Sequence, residues 1–426
     1  MHLLRPSKDN NICIMSSDQR FDSLLKHPDF LKLWAAQIGS AFGSRITRTV
    51  LPMIAILTIN ATPNEIAILS ALGFAPGLLV AFFAGGHIDR NKRRPLLIAT
   101  DLIRAALIFS VPLAAYFSTM SMMQLYVVAA IVGAATSIFQ IADNAYLPRL
   151  VEKDQLVDAN SKLEASDAVA EASGPGIAGL LVSLFSAPVA MIFDAVTYLW
   201  SALMLSFIKK PEPEPAKRTA EDSLLKDAIL GFMSCAKHPI VGPILAAEIL
   251  MTLAGGIYVT LYMVLALRTL ALDPLTIGLI ISLGGIAGFF GAMVAKPVAD
   301  KLGLRNTLII TALLGQLADF AIPFAAAFPQ HGIALLSLQQ IAGDFFMTIF
   351  VIQAISLRQR EMPDHVLARA NATFQLLTGM AIPFSALMAG PISMWIGITN
   401  TLWIAAIGGV LALPVLLLIK SAPKST

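Results

Sequence analysis

The sequence predicts an all-α membrane protein of twelve transmembrane helices, arranged as two pseudo-symmetric six-helix bundles. Three observations predict it. The 426 residues are 57% hydrophobic and only 13% charged, with a mean hydropathy of +0.75, whereas a soluble protein carries about 25% charged residues. The apolar runs are numerous enough for a dozen spans of roughly 20 residues each. One half of the chain also repeats in the other at a constant offset of 211 residues.

Taken in order, residues 1–30 form a polar arm without the apolar core of a cleaved signal peptide. Span 1 then acts as the uncleaved insertion signal. The first six-helix bundle, 31–208, holds spans at 33–58, 65–84, 95–117, 122–144, 166–186 and 188–208. A linker, 209–238, opens with Lys-Lys-Pro-Glu-Pro-Glu-Pro, a stiff extended start, and continues as an amphipathic stretch read as a membrane-surface helix. The second bundle, 239–420, holds spans at 240–266, 275–295, 306–328, 332–356, 374–394 and 399–419, and a short tail, 421–426, follows.

The connections alternate. Those at 60–64, 118–121, 186–188, 329–332 and 397–400 carry no Lys or Arg, and 26 of the 30 Lys and Arg fall in the other set. Arg268 alone lies on the sparse side, with Arg45, Arg48 and Arg104 inside spans. By the positive-inside rule both termini are cytoplasmic, and an even number of spans likewise puts them on the same side. A net charge of only +3 gives nucleic-acid binding no support. The two cysteines, Cys13 and Cys235, have no metal-ligand spacing, so both are expected to be reduced and neither metal nor cofactor is expected.

The offset needs no gap from span 2 to span 5. It pairs Pro63 with Pro274, Gly73 with Gly284, Gly77 with Gly288, Asp89 with Asp300, Arg94 with Arg305, Pro112 with Pro323, Asn160 with Asn371 and Gly179 with Gly390. The string between spans 2 and 3, Gly85-Gly-His-Ile-Asp89-Arg90-Asn-Lys-Arg93-Arg94, is a polar re-entry loop, and its copy, from Lys296 to Arg305, is degenerate. A G-x-x-x-D-R-x-x-R-R pattern between two spans resembles the second-to-third-helix loop of the major facilitator superfamily of secondary transporters. The stretch 144–164, with Tyr146-Leu-Pro-Arg-Leu-Val and Gln155-Leu-Val-Asp-Ala-Asn, resembles its bacterial multidrug branch, which includes macrolide and enterobactin exporters. Gly174-Pro175-Gly-Ile-Ala-Gly179 in span 5 resembles the end of the drug-exporter antiporter motif, with Ala178 replacing a glycine. Small residues there allow close helix packing and a kink.

The resemblance implies the major facilitator fold, with a substrate site between the halves near the midplane. It implies a cytoplasmic latch of Gly85, Asp89, Arg90, Arg93 and Arg94, with Asp300 and Arg305 as its echo, Asp89 facing the start of span 11. Spans 1, 4, 7 and 10 would line the cavity, and ionisable groups inside spans are costly and usually functional. Arg45, Arg48, Asp143, Glu248 and Asp344 fall on those spans and are the candidate coupling and substrate residues, Glu248 and Asp344 foremost. Asp101 and Arg104, three apart on one helix face, read as a structural ion pair, and Asp194 and Asp319 as packing groups. No Walker A, HExxH or G-x-S-x-G string is present, so no enzyme is expected. The expected protein is a monomer of the bacterial inner membrane that exports amphipathic small molecules, with protons and membrane lipids as its other partners. Two alternatives remain open: a lysophospholipid flippase or uncoupled facilitator, and a non-transporting sensor or assembly partner.

Overall fold

In the computed structural model, residues 24–88, 91–212 and 224–419 are described, and among them every regular element is a helix. The first six spans are α1 (Pro28–Leu57), α2 (Pro63–Ile88), α3 (Arg93–Tyr116), α4 (Met122–Leu150), α5 (Leu156–Phe185) and α6 (Ala187–Ser206). The linker contributes α7 (Leu224–Lys237). Then follow α8 (Val241–Val264), α9 (Pro274–Leu302), α10 (Leu304–Ala318), α11 (Ala321–Ala327), α12 (Gly332–Glu361), α13 (Asp364–Ile396), α14 (Ile398–Leu411) and α15 (Leu413–Leu417). The pairs α10–α11 and α14–α15 each make one broken span. Pro323 has no N–H for Asp319, whose carbonyl takes Ile322 N at 3.1 Å instead, and Pro414 follows the second break.

Eleven of the described helices are long and apolar enough to cross a membrane. The first span, α1, is the exception. Its 30 residues reach about 45 Å, but it carries Gln37, Ser40, Ser44, Arg45, Thr47 and Arg48. Its polar face looks onto charged neighbours rather than hydrocarbon.

The repeat is visible in local chemistry. His27 caps α1, its Nδ1 accepting from Phe30 N at 3.0 Å. His238, 211 residues on, does the same for α8, accepting from Val241 N at 3.2 Å. Pro63 and Pro274 open α2 and α9, where a missing N–H costs nothing.

Helices α1–α6 pack on one another, as do α8–α15, and the two sets meet along two seams, α5 on α9 and α2 on α13. The repeat relates these seams. A Cβ on Gly179 would lie 2.3 Å from Pro274 O and 3.1 Å from Leu275 Cα, and one on Gly390 would lie 2.9 Å from Asn64 Cα. Subtracting the offset from Leu275 gives Asn64, so the two glycines make the same contact from opposite halves. Only a residue without Cβ lets the backbones come this close.

One end of the bundle carries the start of α1 and α7; this is the near end. At the far end a single buried apolar cluster crosses between the halves, joining Ile54, Leu125 and Ala190 to Met263, Val264, Ala266 and Ile277. Arg268 Nη2 also donates to Asn60 Oδ1 across that end at 2.9 Å. At the near end the buried clusters belong to one half each: Phe30, Tyr146 and Leu205 in one, Val241, Phe350 and Leu416 in the other. The halves are sealed together at the far end and separately packed at the near end.

Candidate functional site

At the centre α1 faces α5. Arg45 and Arg48 share a face of α1, and Asp167 and Glu171, four apart, share a face of α5. Arg45 Nη2 meets Asp167 Oδ2 at 2.9 Å, Arg48 Nη2 meets Glu171 Oε1 at 2.6 Å, and Arg45 Nε also contacts Glu171. Two arginines thus share two carboxylates in a short, charge-assisted network. The Asp167 and Glu171 side chains are about half exposed, so the network borders open space. Gly174 makes the approach feasible, because a Cβ there would lie 2.6 Å from Arg45 Cβ. Pro175 leads directly into the seam: its carbonyl lies 2.3 Å from where Gly278 would carry a Cβ, and Gly176 N donates to Ser282 Oγ at 3.0 Å.

Across the α5–α9 seam stands Asp344 of α12. Gly285 of α9 packs on Ala172 and Glu171, and the neighbouring Gly284 on the Asp344 carboxylate. The neighbouring glycines of α9 thus bring the Asp344 carboxylate and the Glu171 backbone against one short helix segment from opposite sides. The repeat isolates Asp344. Its counterpart is Gly133, which packs on Gly73, just as Ser137 on Gly77 matches Thr348 on Gly288. The first half packs glycine on glycine where the second half inserts an acid.

Asp143 accepts a hydrogen bond from Gln37 of α1 and lines a cavity of about 130 Å³ with Ser40, Arg45, Arg104 and Asp167. At about 30 Å³ per water this holds a few waters, well short of the roughly 300 Å³ at which drug-sized sites begin. Behind it, Arg104 pairs with Asp101 and lies between the rings of Phe139, at 4.5 Å, and Tyr198, at 4.3 Å. Thr47 donates to the wholly buried Asp194, and Gln339 to Asp319 at 3.0 Å. These three acids occupy the packing positions expected of them.

Glu248 stands apart from Asp344. It lies two turns into α8 at the near end, within electrostatic reach of Arg358 of α12. Arg358 donates to Asn371 at 2.9 Å and stacks 4.1 Å over Phe374. Cys235 of α7 is buried beside this group, and burial pushes its thiol up, with Arg358 pulling the other way.

The near-end basic residues take partners that the latch expectation did not name. Asp89 and Arg90 lie outside the described residues, and Gly85 lies in the last turns of α2. Arg93 N and Arg94 N both donate to Glu212 of the linker, at 2.8 and 3.1 Å, so that Glu212 caps α3 from a distance. Arg94 also donates to Leu205 O at 2.9 Å and to Ser206 O, closing the end of α6. Arg305 Nη2 donates to Leu417 O at 3.2 Å, the position equivalent to Ser206. In this conformation Arg94 and Arg305 thus each stitch a helix end within their own half: a guanidinium satisfies the orphan carbonyls there. Asp300 pairs with Lys296 of its own helix at 2.7 Å.

Asp167 and Glu171 are the central residues that the candidate set omitted. The signal was present: acids at i, i+4 in span 5 match bases at i, i+3 in span 1. Glu212 gave no signal within its Pro-Glu-Pro-Glu context.

The model of the Major Facilitator Superfamily matches residues 33–314 and 244–426. The multidrug efflux pump Tap of Mycolicibacterium fortuitum is 24% identical over 399 residues, 92% of this chain and 94% of its own. Macrolide efflux protein A of Streptococcus pyogenes is 22% identical over 237 residues, 55% of this chain and 56% of its own. The nucleoside transporter NupG shares the fold, with a TM-score of 0.74 at 16% identity, covering 92% of this chain and 100% of that one.

Proposed function

The chain belongs to the major facilitator superfamily, and on that premise we propose that it exports amphipathic small molecules in exchange for protons. Both termini then lie in the cytoplasm of a bacterium, as the charge bias of the connections argues. The sealed far end faces outward and the separated near end faces the cytoplasm. Alternating access rocks the halves about the α2–α13 and α5–α9 seams. Similarity along nearly the whole chain to a multidrug efflux pump supports the cargo class.

The observation that carries the mechanism is the charge network at the α5–α9 seam. Arg45 and Arg48 hold Asp167 and Glu171 at one wall, and in the other half Asp344 packs on Gly284, next to the Gly285 that packs on Glu171 and Ala172. Any motion of α5 against α9 changes the separation of Glu171 and Asp344. Protons and cargo that compete for them would be exchanged as the halves move. Asp143 borders the cavity that leads to this network, and Glu248 acts with Arg358 at the cytoplasmic mouth.

Everted membrane vesicles test the reading. Glu171→Gln and Asp344→Asn are expected to lower respiration-driven accumulation of a fluorescent amphiphilic dye about tenfold or more while leaving passive exchange intact. Full driven accumulation in both variants overturns the coupling role. Wild-type flux that ignores a collapsed pH gradient favours an uncoupled facilitator instead.

A further inference from the structure

At the near end the α2–α13 seam opens into a groove of about 440 Å³. This volume lies within the roughly 300–1,000 Å³ of small-molecule sites, unlike the polar cavity beside Asp143. Phe82 of α2, Ile229 and Phe232 of α7 and Leu376 of α13 line it. Its floor is closed where Leu78 meets Gly379, on which a Cβ would lie 2.7 Å from Leu78 Cδ2. Arg369, exposed, lies at its rim. Arg369 precedes Gly379 by ten residues of α13, about 15 Å along the axis. That is half of the roughly 30 Å hydrocarbon thickness. Within the candidate span Asp364–Ile396 Arg369 lies near the start and Gly379 near the middle, so the groove carries a cation towards one end of the span and mostly apolar walls towards its centre, the polarity of one leaflet.

Its roof is pressed on one wall. A Cβ on Gly231 of α7 would lie 2.6 Å from Thr373 Oγ1 and 2.8 Å from Arg369 O, so any larger residue lifts α7 off α13. The neighbouring Leu230 and Met233 are exposed, which suits a helix resting in the bilayer surface. Roof and one wall move with the second half, whereas α2 moves with the first. The width of the groove must follow the relative position of the halves.

We propose that this groove binds a single-chain anionic amphiphile drawn from the cytoplasmic leaflet, with its chain between Phe82, Phe232 and Leu376 and its acid group on Arg369. It rests on the export reading, and names where cargo enters and what chemistry it presents. A volume of about 440 Å³, near the lower end of small-molecule sites at roughly 300–1,000 Å³, favours one chain over the two of a bilayer phospholipid. The assignment asks of Arg369 only its charge and its position.

The test uses full-length protein in liposomes and a brominated long-chain fatty acid as probe. Phe232→Trp places a fluorescent ring in the wall, and its signal is read as the difference from the unsubstituted protein. Saturable quenching is expected. Arg369→Gln should weaken it about tenfold, the loss of one charge-assisted contact. Ala372→Phe, which fills the groove, should remove the saturable part. Arg369 is exposed, so its variant keeps the proposal testable if the bulky one fails to fold. Linear quenching that neither substitution changes reflects partition into the bilayer and overturns the proposal. Brominated phosphatidylglycerol that quenches equally and displaces the fatty acid overturns the single-chain assignment. The readout needs no transport: binding without export refutes the export reading alone, and export without binding refutes the groove alone.

Discussion

Gly179→Ala puts a methyl group 2.3 Å from the Pro274 carbonyl oxygen and 3.1 Å from Leu275 Cα, where ordinary contact begins at 3.4 Å. Both obstacles are backbone, so no rotamer change relieves them, and α5 must move from α9 by about 1 Å. Overpacking of this kind costs about 1–3 kcal/mol. The cost falls on the state in which the far end is sealed, because that state holds the two backbones together. Replacing glycine in a helix also stabilises by about 1 kcal/mol, so the proper reference is Gly73→Ala, where a Cβ meets nothing within 4 Å. The reporter is Ala266→Cys, wholly buried in the far-end cluster, in a Cys13→Ser, Cys235→Ser background. A membrane-impermeant maleimide applied at the far side should label the Gly179→Ala protein about 5–150-fold faster than the Gly73→Ala protein, the range that 1–3 kcal/mol implies. Gly390→Ala should act in the same direction, since Ala67 Cβ at 2.7 Å and Asn64 Cα at 2.9 Å are likewise fixed by the backbone. Equal rates for Gly179→Ala and Gly73→Ala, within about twofold, would refute the seam as the far-end clamp.

Arg94→Ala and Arg305→Ala should each destabilise their own half by about 1.5–3 kcal/mol, the range for a hydrogen bond to a charged group. Thermal unfolding in nanodiscs reads the loss, and Arg94→Lys should restore only part of it, because an ammonium lacks the guanidinium fork. An unchanged unfolding midpoint in both alanine variants removes the stitch from the account. Burial raises the Cys235 thiol above its ordinary range, so thiolate is scarcer than for a free cysteine at pH 7–8. In a Cys13→Ser protein, maleimide labelling should be slow at neutral pH, accelerate only in alkaline buffer and become complete on denaturation. Rapid labelling at pH 7 contradicts the packed position of α7.

The repeat was legible because proline and glycine have backbone reasons to recur, and Pro63 and Pro274 do open equivalent helices. The spans were legible from hydropathy, and α1 shows the limit of that signal. Its polar residues look inward to α5 and α6, so its mean composition understates its place in the bundle. Partner choice was not legible. Arg94 and Arg305 stood in a motif that resembles a latch, yet the ends of α6 and α15 present bare carbonyls beside them. No offset between two arginines reveals which helix end lies near. Asp344 was legible as a costly acid in a span. Its singularity appears only when Gly284 is seen making room for it, while Gly73 meets Gly133. Asp167 and Glu171 escaped because their positions early in span 5 gave them no cavity role by rule; their weight comes from Arg45 and Arg48 opposite.

Purified protein in liposomes, given an imposed pH gradient and a fluorescent amphiphilic dye, offers the most direct test of the exchange. The account predicts that dye accumulates against its own gradient, that a protonophore abolishes the accumulation, and that Glu171→Gln reduces it to the level of empty liposomes. Dye movement that is the same with and without the gradient, and the same in the Glu171→Gln protein, would contradict it.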